Sequence, residues 1–265
     1  MNIFTDIIYL NISGFSIKLY FNKTEQISLR KKFQKEILTS FNKFITKSEP
    51  KKVNFKLYFI EKKNVIITNN KSLTSIQLYK TRTDHTFITY YYISLIQFTL
   101  IIRYILIRLL ENNGLLIHVS ACLKDGKTYI FLGESGAGKS TIVQLLKLKY
   151  PTLADDIGII KEENNTLYFY QTPFIERNNL FNKSSKRYPL GKIFFLRKTK
   201  YCRITRIDNK EHIIQKIISQ IWMDRTVYKK EGLVILFNII SKFDKYYMLS
   251  FTKNRAQLIS LFENI

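Results

Sequence analysis

A glycine-rich segment near the middle of the chain constrains the fold more than any other feature. It reads Gly133-Glu-Ser-Gly-Ala-Gly-Lys-Ser-Thr141 and follows an apolar run that ends at Leu132. The residues after it have helical spacing, so the segment connects a predicted strand to a predicted helix over 139–149. This is the pattern of a phosphate-binding loop, in which backbone N–H groups curl around phosphate oxygens at a helix N-terminus. The segment therefore predicts an α/β fold with a nucleotide site.

Side chains of this loop have expected roles in binding a nucleoside triphosphate, ATP or GTP. Lys139 is expected to reach the β- and γ-phosphates, and the hydroxyl of Ser140 is expected to bind Mg²⁺. A glycine-rich turn that binds nothing is the alternative. The predicted nucleotide-binding residues are Gly133, Glu134, Ser135, Gly136, Ala137, Gly138, Lys139, Ser140 and Thr141.

Two adjacent carboxylates follow the loop at short range. Asp155 and Asp156 come 16 and 17 residues after Lys139, which leaves room for one helix and a turn. The strand that ends at this pair is therefore expected to return beside the strand of the loop and to bring both carboxylates to the phosphate site. One would bind Mg²⁺ and the other would accept a proton from an attacking hydroxyl, and the sequence leaves open which does which. A pair of aspartates in a surface turn is the alternative.

His118 is predicted to border the same site. The segment Leu115–Leu123 reads as one strand, and Asp125-Gly126 is a typical two-residue hairpin turn to the next strand, Thr128–Leu132. Such a hairpin would place residue 118 opposite Gly133. There the imidazole would orient or polarise a catalytic carboxylate, with a structural histidine as the alternative.

The chain is predicted to divide near residue 112. Residues 1–112 are expected to form an α+β region with a role in substrate binding or assembly, and residues 113–265 the nucleotide-binding domain. A strongly apolar helix, Ile93–Leu110, ends the first region. It is expected to be buried in protein and not inserted in a membrane, because Arg103 and Arg108 lie inside it.

Hydrophobic periodicity assigns the other elements. Strands are predicted at 3–10, 15–21, 53–60, 64–68, 74–80, 86–93, 152–161, 166–171, 192–196 and 246–251. Helices are predicted at 24–46, 210–222, 230–242 and 254–263, and a basic loop at 174–189.

The formal net charge of +23 is spread over both halves, and one segment, Arg177–Lys210, carries 11 basic residues and one acidic residue. Either an acidic partner or codon bias toward lysine explains this composition. No recognisable DNA- or RNA-binding motif accompanies it, so nucleic acid is not the expected partner. Cys122 and Cys202 are too few for a disulfide framework or a four-thiolate zinc site. No signal peptide is recognised, so a cytoplasmic location is expected.

Several of these motifs together resemble HPr kinase and its relatives. The resemblance is carried by Leu116–Ala121, Asp125-Gly126, Phe131–Thr141 and Ala154–Asp156. Downstream, Thr172–Phe174 and Pro189–Leu196 resemble HPr-kinase-related proteins found beside peptide-modification genes, among them lasso-peptide serine kinases. The similarity extends over about residues 95–215.

This resemblance implies a P-loop core of the HPr kinase/phosphoenolpyruvate carboxykinase type. It also implies an ATP-dependent kinase that phosphorylates a serine hydroxyl of a peptide or small protein, such as a precursor peptide. By position, Gly133–Thr141 would bind phosphate and Ser140 would bind Mg²⁺. Asp155 and Asp156 would supply a metal ligand and the general base, with His118 in support. Relatives of this fold often assemble, so a homo-oligomer is implied as well.

The resemblance has one clear departure. The Glu-Ile-Arg-Gly signature of the bifunctional HPr kinase/phosphorylases is absent after this core, so phosphate removal and HPr itself are disfavoured. Glu176 and Arg177 are further candidates for the site. Other functions stay open: an HPr-type regulatory kinase, a non-catalytic ATP-sensing or nucleic-acid-binding module, and an ABC-type ATPase, although a Leu-Ser-Gly-Gly-Gln signature is absent.

Overall fold

The computed structural model describes residues 6–61, 67–70, 73–76, 78–174, 176, 181–221 and 229–265. Partly or wholly outside these ranges lie the predicted strands 3–10, 64–68 and 74–80, the predicted loop 174–189, the predicted helix 210–222 and the candidate Arg177. The chain divides into two compact units, Met1–Leu109 and Leu110–Ile265, and each is described by itself.

The first unit combines a sheet with two helices. Its strands are β1 (Ile7–Ile12), β2 (Phe15–Phe21), β3 (Ile45–Thr46), β4 (Phe55–Ile60), β5 (Ile67–Asn70), β6 (Leu73–Ile76), β7 (Lys80–Thr83) and β8 (Thr86–Tyr90). Its helices are α1 (Ile27–Ser40) and α2 (Leu95–Leu110), which ends at the first residue of the second unit. Among the described residues, six strands form one sheet in the order β3-β1-β2-β4-β8-β7, and β5 pairs with β6 separately.

The predicted N-terminal hairpin is confirmed. Strands β1 and β2 are antiparallel, and Ser13 and Gly14 turn between them with φ angles of 50° and 81°. Positive φ at both central residues is what a two-residue hairpin turn of type I′ requires. Helix α1 is shorter than predicted and ends at Ser40. The chain there passes through a 3₁₀ turn, Asn42–Phe44, so that Ile45–Thr46 can pair with β1.

Helix α2 confirms the predicted apolar helix. Its buried side chains are Phe98, Ile101, Ile102, Ile105, Leu106 and Leu110. The guanidinium of Arg108 lies 5.1 Å from the ring centroid of Phe87, an ordinary cation–π contact within a folded domain. Within the described ranges, no helix has both the length and the apolar character needed to cross a membrane.

The second unit is a sheet with helices on both faces. Its strands are β9 (Gly114–His118), β10 (Ser120–Lys124), β11 (Lys127–Leu132), β12 (Thr152–Ala154), β13 (Ile157–Glu163), β14 (Thr166–Gln171), β15 (Arg187–Lys198), β16 (Arg203–Arg206) and β17 (Tyr246–Phe251). Its helices are α3 (Lys139–Leu146), α4 (Lys210–Ile218), α5 (Lys229–Lys242) and α6 (Arg255–Glu263). The described strands run in the order β12-β10-β11-β15-β14-β13-β9, and β17 pairs with β15 and β16.

The central strand β11 shows how the sheet is buried on both faces. Ile130 and Leu132 join an apolar cluster that includes residues of α4 and α5. Phe131 belongs to a second cluster that includes residues of α3 and α6. Because alternate residues of a strand face opposite sides, a continuous apolar run is what such a strand needs. The two sheets and their helices make this a mixed α/β fold.

The prediction of a single strand over Leu115–Leu123 is wrong, because the chain breaks at Val119. Strand β10 continues the hairpin with β11 in the predicted register, with Ser120 opposite Phe131. Strand β9 instead pairs with β13 at the other end of the sheet order. The backbone at the break is bonded across the sheet, since the Val119 N–H donates to the Asp156 carbonyl at 2.9 Å.

Because of this break, two predicted strand pairings in this sheet are wrong. His118 lies opposite Ile157 in β13 and not opposite Gly133. Strand β12, which precedes the aspartates, pairs with β10 and not with β11, because β10 and β15 occupy the two edges of β11. Both predictions assumed that segments close in sequence are also neighbours in the sheet.

Candidate active site

The glycine-rich loop connects the end of β11 to the start of α3. Gly136 and Gly138 have φ angles of 82° and 101°, in the left-handed region that glycine adopts without strain. At Gly138 a Cβ atom would lie 2.7 Å from Cζ of Phe251, so this position also leaves no room for a side chain. Helix α3 begins at Lys139, the next residue. Its N-terminus therefore lies at the loop, where the helix dipole favours an anion.

The Lys139 ammonium lies inside this loop. Its Nζ donates to the carbonyl oxygens of Gly133 at 2.5 Å and Glu134 at 3.3 Å, and the residue is only 7% exposed. Burial lowers the pKa of Lys139, whereas the carboxylates of Asp156 and Asp155 raise it. Lys139 is therefore a cation held close to the place where the loop and helix N-terminus favour phosphate.

The two aspartates have different surroundings. Asp155 is 4% exposed, and its Oδ1 accepts a hydrogen bond from Ser120 Oγ at 3.0 Å. The side chain of Asp156 is 31% exposed, and its Oδ1 lies 3.0 Å from Nε2 of His118. One carboxylate is thus buried and fixed by a hydroxyl, whereas the other is more accessible and has an imidazole partner.

His118 is held through its backbone at the end of β9. Its N–H donates to the Gln220 carbonyl at 2.7 Å, and the preceding residue, Ile117, forms an isolated β-bridge with Ile221. The segment after α4 therefore braces the strand end that carries the imidazole. This support comes from a part of the chain that is distant in sequence, and hairpin geometry did not predict it.

The predicted site residues meet at one pocket of about 300 Å³. Its lining residues are His118, Glu134, Ser135, Gly136, Gly138, Lys139, Ser140, Thr141, Asp155, Asp156 and Lys198. Two predicted loop residues contribute through the backbone: the Gly133 carbonyl accepts from Lys139, and the Ala137 N–H donates to the Glu134 carbonyl at 3.0 Å.

Lys198 is a lining residue that motif reasoning missed. It ends β15, the strand that pairs in parallel with β11, and its Cε lies 3.4 Å from where a Cβ of Gly138 would be. A signal was present, because a buried strand was predicted over 192–196 and Lys198 follows it at the same edge as the loop. Its ammonium adds a second cation to the pocket.

The oxygen atoms at this pocket fit Mg²⁺. Ser140 supplies a hydroxyl at the start of α3, and Asp155 and Asp156 supply carboxylates. Magnesium prefers such oxygen ligands and usually takes waters or phosphate oxygens in its remaining positions. Among the residues that the structure describes, no group of three or more His, Cys, Asp or Glu is arranged to hold a metal ion. The hydroxyl of Ser140 and the two carboxylates are suited to a metal ion whose other ligands are phosphate oxygens and water.

Glu176, one of the two further candidates, is buried and contacts the backbone of Asp155. One oxygen of its carboxylate accepts from the Asp155 N–H, and Oε1 lies 3.1 Å from Nζ of Lys183. Burial raises the pKa of Glu176 to about 7, although the Lys183 ammonium opposes this shift. Part of the basic segment is thus already paired: Lys183 contacts Glu176 inside the protein, and the exposed Arg187 contacts Glu163 at 2.6 Å.

The fold is mixed α/β, and one pocket brings together a glycine-rich loop, two carboxylates and a histidine. Residues 88–236 match the family model described as SynChlorMet cassette protein ScmC. This match covers more than half of the chain of 265 residues. The chain therefore belongs to the ScmC family.

Other similarities are short or distant. Multidrug resistance protein 1 of Plasmodium falciparum, from isolates FC27 and 3D7, is 49% identical over 47 residues. This stretch is 18% of the chain and only 3% of the length of those curated relatives. The HPr(Ser) kinase/phosphatase of Coxiella burnetii matches 56% of this chain and 94% of its own, with 16% identity and a TM-score of 0.29.

Proposed function

We propose that this protein is an ATP-dependent kinase that transfers the γ-phosphoryl group to a serine hydroxyl of a peptide or small protein. A ribosomally made precursor peptide is the acceptor we favour. The observation that carries the proposal is one pocket that combines the loop lysine, a hydroxyl beside it and two carboxylates, one of them bonded to an imidazole. The motif resemblance to HPr kinase and to lasso-peptide kinases supports the same reaction.

Phosphoryl transfer requires in-line positioning and neutralisation of charge more than covalent chemistry by the protein. The loop N–H groups and Lys139 would bind the β- and γ-phosphates at the N-terminus of α3. Lys198 would bring a second positive charge to the same pocket. These cations would offset the negative charge of the triphosphate and of the two aspartates.

Ser140 and Asp155 are the residues we assign to hold Mg²⁺. Asp155 is buried and its carboxylate is fixed by Ser120, which suits a metal ligand better than a group that must meet an incoming acceptor. When bound there, Mg²⁺ would neutralise charge on the β- and γ-phosphate oxygens.

Asp156 is the residue we assign as general base. Its carboxylate is the more accessible of the two, and His118 contacts it at 3.0 Å and orients it. The serine oxygen of the acceptor would form the new bond to phosphorus while the bond to the leaving ADP oxygen breaks. The hydroxyl proton would pass to the Asp156 carboxylate.

An ATPase without an acceptor is a second candidate, because the same loop, metal ligands and base would equally serve water as the attacking group. ATP labelled at the γ-phosphate, with Mg²⁺ and serine-containing peptides encoded near the gene, separates the two. Label on a peptide serine is the expected result. Label released only as inorganic phosphate would favour the ATPase, and binding of ATP without turnover would favour a sensing module.

Substitution of each aspartate by asparagine tests the division of roles. Asp156→Asn is expected to slow transfer by about 100-fold or more while ATP affinity stays near that of the unaltered protein, because only the proton acceptor is lost. Asp155→Asn is expected to raise the Mg²⁺ concentration needed for half-maximal rate. Asp208→Asn is the matched control, since this exposed carboxylate pairs with Arg206 outside the pocket. Normal turnover in both pocket variants would contradict the assignment.

A further inference from the structure

The backbone that carries the aspartates is bonded to two buried side chains. Strand β12 pairs with β10, and Asp155 follows its last residue. The Leu153 carbonyl accepts from Nε2 of Gln171 at 2.8 Å, and the Asp155 N–H donates to Oε2 of Glu176. The backbone is therefore held by side chains on both sides of Ala154.

Both of these side chains are inside the protein. Gln171 is 1% exposed and Glu176 is 4% exposed. Burying an amide or a carboxylate is costly unless it is hydrogen-bonded or paired, so moving either side chain away from its partners would cost free energy. Neither side chain is among the described residues that line the pocket.

Two adjacent residues, Lys183 and Ser184, contact the side chains of Glu176 and Gln171. Nζ of Lys183 pairs with Glu176 and also donates to the Phe174 carbonyl. The N–H of Ser184 donates to Oε1 of Gln171 at 2.9 Å. Two successive residues thus fix the two groups that hold the strand end.

We propose that Gln171 and Glu176 are positioning residues that set the place of Asp155 and Asp156 at the pocket, with Lys183 holding Glu176 in its position. This inference rests on the proposed kinase function. Ser120 bonds the Asp155 carboxylate and these side chains bond the flanking backbone, so side chain and main chain are both constrained. Phosphoryl transfer depends on such placement, because a shift of about 1 Å costs about 100-fold in rate.

Two double variants isolate the hydrogen bond to Asp155. Both remove the buried ion pair and leave similar volume. Glu176→Gln with Lys183→Met keeps an oxygen that accepts from the Asp155 N–H. Glu176→Met with Lys183→Met removes that acceptor. The pair of variants therefore differs in the hydrogen bond and not in charge.

Amide hydrogen exchange of the peptide covering residues 152–158 measures how firmly the backbone of β12 and the two aspartates is hydrogen-bonded. The measurement does not depend on catalysis. Exchange is expected to be faster in the variant with Glu176→Met and near normal in the variant with Glu176→Gln. Turnover is expected to fall by about 10- to 100-fold in the first and by no more than about 3-fold in the second, the usual scale for partners of metal-binding carboxylates. ATP affinity is expected to stay within about 2-fold in both, because the loop is untouched.

Several results would overturn this inference. Equal exchange and equal turnover in the two double variants would make Glu176 a simple structural residue. If the double variant with Glu176→Met fails to fold while the double variant with Glu176→Gln folds normally, Glu176 is a residue needed for folding and not a positioning residue. Gln171→Met, which leaves the ion pair intact, must show the same faster exchange and lower turnover. If exchange changes as expected but the unaltered protein phosphorylates no peptide, the strand is held as inferred and the kinase proposal fails.

Discussion

At the scale of single residues, identical side chains in this protein have different chemistry because their surroundings differ. Asp155 and Asp156 are adjacent in sequence, yet one is buried against Ser120 and the other is partly exposed beside His118. A carboxylate that is buried and held by a hydrogen bond is suited to binding a metal ion, whereas a more exposed carboxylate is suited to accepting a proton from an incoming hydroxyl. The sequence predicted both residues as a pair, and their different environments are the basis for the separate roles proposed for them.

Lys139→Ala is expected to reduce phosphoryl transfer by at least about 100-fold and to weaken ATP binding, because the loop loses its phosphate-facing cation. The thermal midpoint is expected to change little, since the lost hydrogen bonds reach only the carbonyls of Gly133 and Glu134 at the loop. Lys149→Ala is the control, because this exposed lysine pairs with Glu263 on the surface. Turnover that survives in Lys139→Ala would remove the loop from the mechanism.

At the scale of elements, one close approach couples two strands of the site's sheet. Gly158 in β13 has no room for a side chain: a Cβ atom there would lie 2.3 Å from Cε2 of Phe169 in β14 and 2.9 Å from Cγ1 of Val119. Val119 is the break that separates β9 from β10. Because Gly158 has no side chain, the ring of Phe169 can pack against β13 close to Val119, the residue at which the chain leaves β9.

Gly158→Ala is expected to lower the free energy of unfolding by about 1–3 kcal/mol, the usual cost of overpacking a core. Phe169→Leu should relieve part of that clash, so the double variant should be less destabilised than the sum of the single variants. Denaturant unfolding measures all three. Gly126→Ala is the contrast, because its Cβ would meet open space and only its φ of 72° would be strained. Strict additivity would show that the ring and the glycine are not coupled.

At the scale of the whole molecule, the positive charge is not a uniform solvated surface. Within Arg177–Lys210, some cations are already paired: Lys183 contacts Glu176 inside the protein, and Arg206 contacts Asp208. Others are exposed, and Lys198 lines the pocket. An acidic acceptor would therefore contact the exposed residues of the segment. Lys183 would not contact the acceptor, because its ammonium pairs with Glu176 inside the protein.

Reversing exposed charges of the segment Arg177–Lys210 is expected to raise the acceptor KM with little change in the ATP KM. The variant combines Lys186→Glu, Lys200→Glu and Arg203→Glu. The acceptor KM of the unaltered protein should also rise with salt, because exposed charges are screened beyond about 8 Å at physiological ionic strength.

A variant with the same change in net charge is the control, and it combines Lys32→Glu, Lys35→Glu and Lys43→Glu in the first unit. A larger effect from the control would assign acceptor binding to that unit. If neither variant nor salt changes the KM, composition alone explains the charge.

Local patterns determined the parts of this protein that depend on neighbouring residues. The glycine-rich pattern and the helical spacing after Lys139 predicted the loop and α3, and the turn at Asp125-Gly126 predicted the register of β10 against β11. The short distance in sequence from the loop to the aspartates predicted their shared pocket. These features are local because backbone conformation and the reach of a short chain decide them.

Which strands are neighbours depends on contacts that form only when the whole chain folds. The break at Val119, the pairing of β9 with β13 and the position of β12 beside β10 depend on hydrogen bonds between segments far apart in sequence. Lys198 enters the pocket because β15 pairs with β11, and Glu176 acquires its role because it is buried against the Asp155 N–H. Side-chain patterns show which faces are buried, but they do not specify the partner strand. That choice is made when the core packs and each backbone group finds its hydrogen bond.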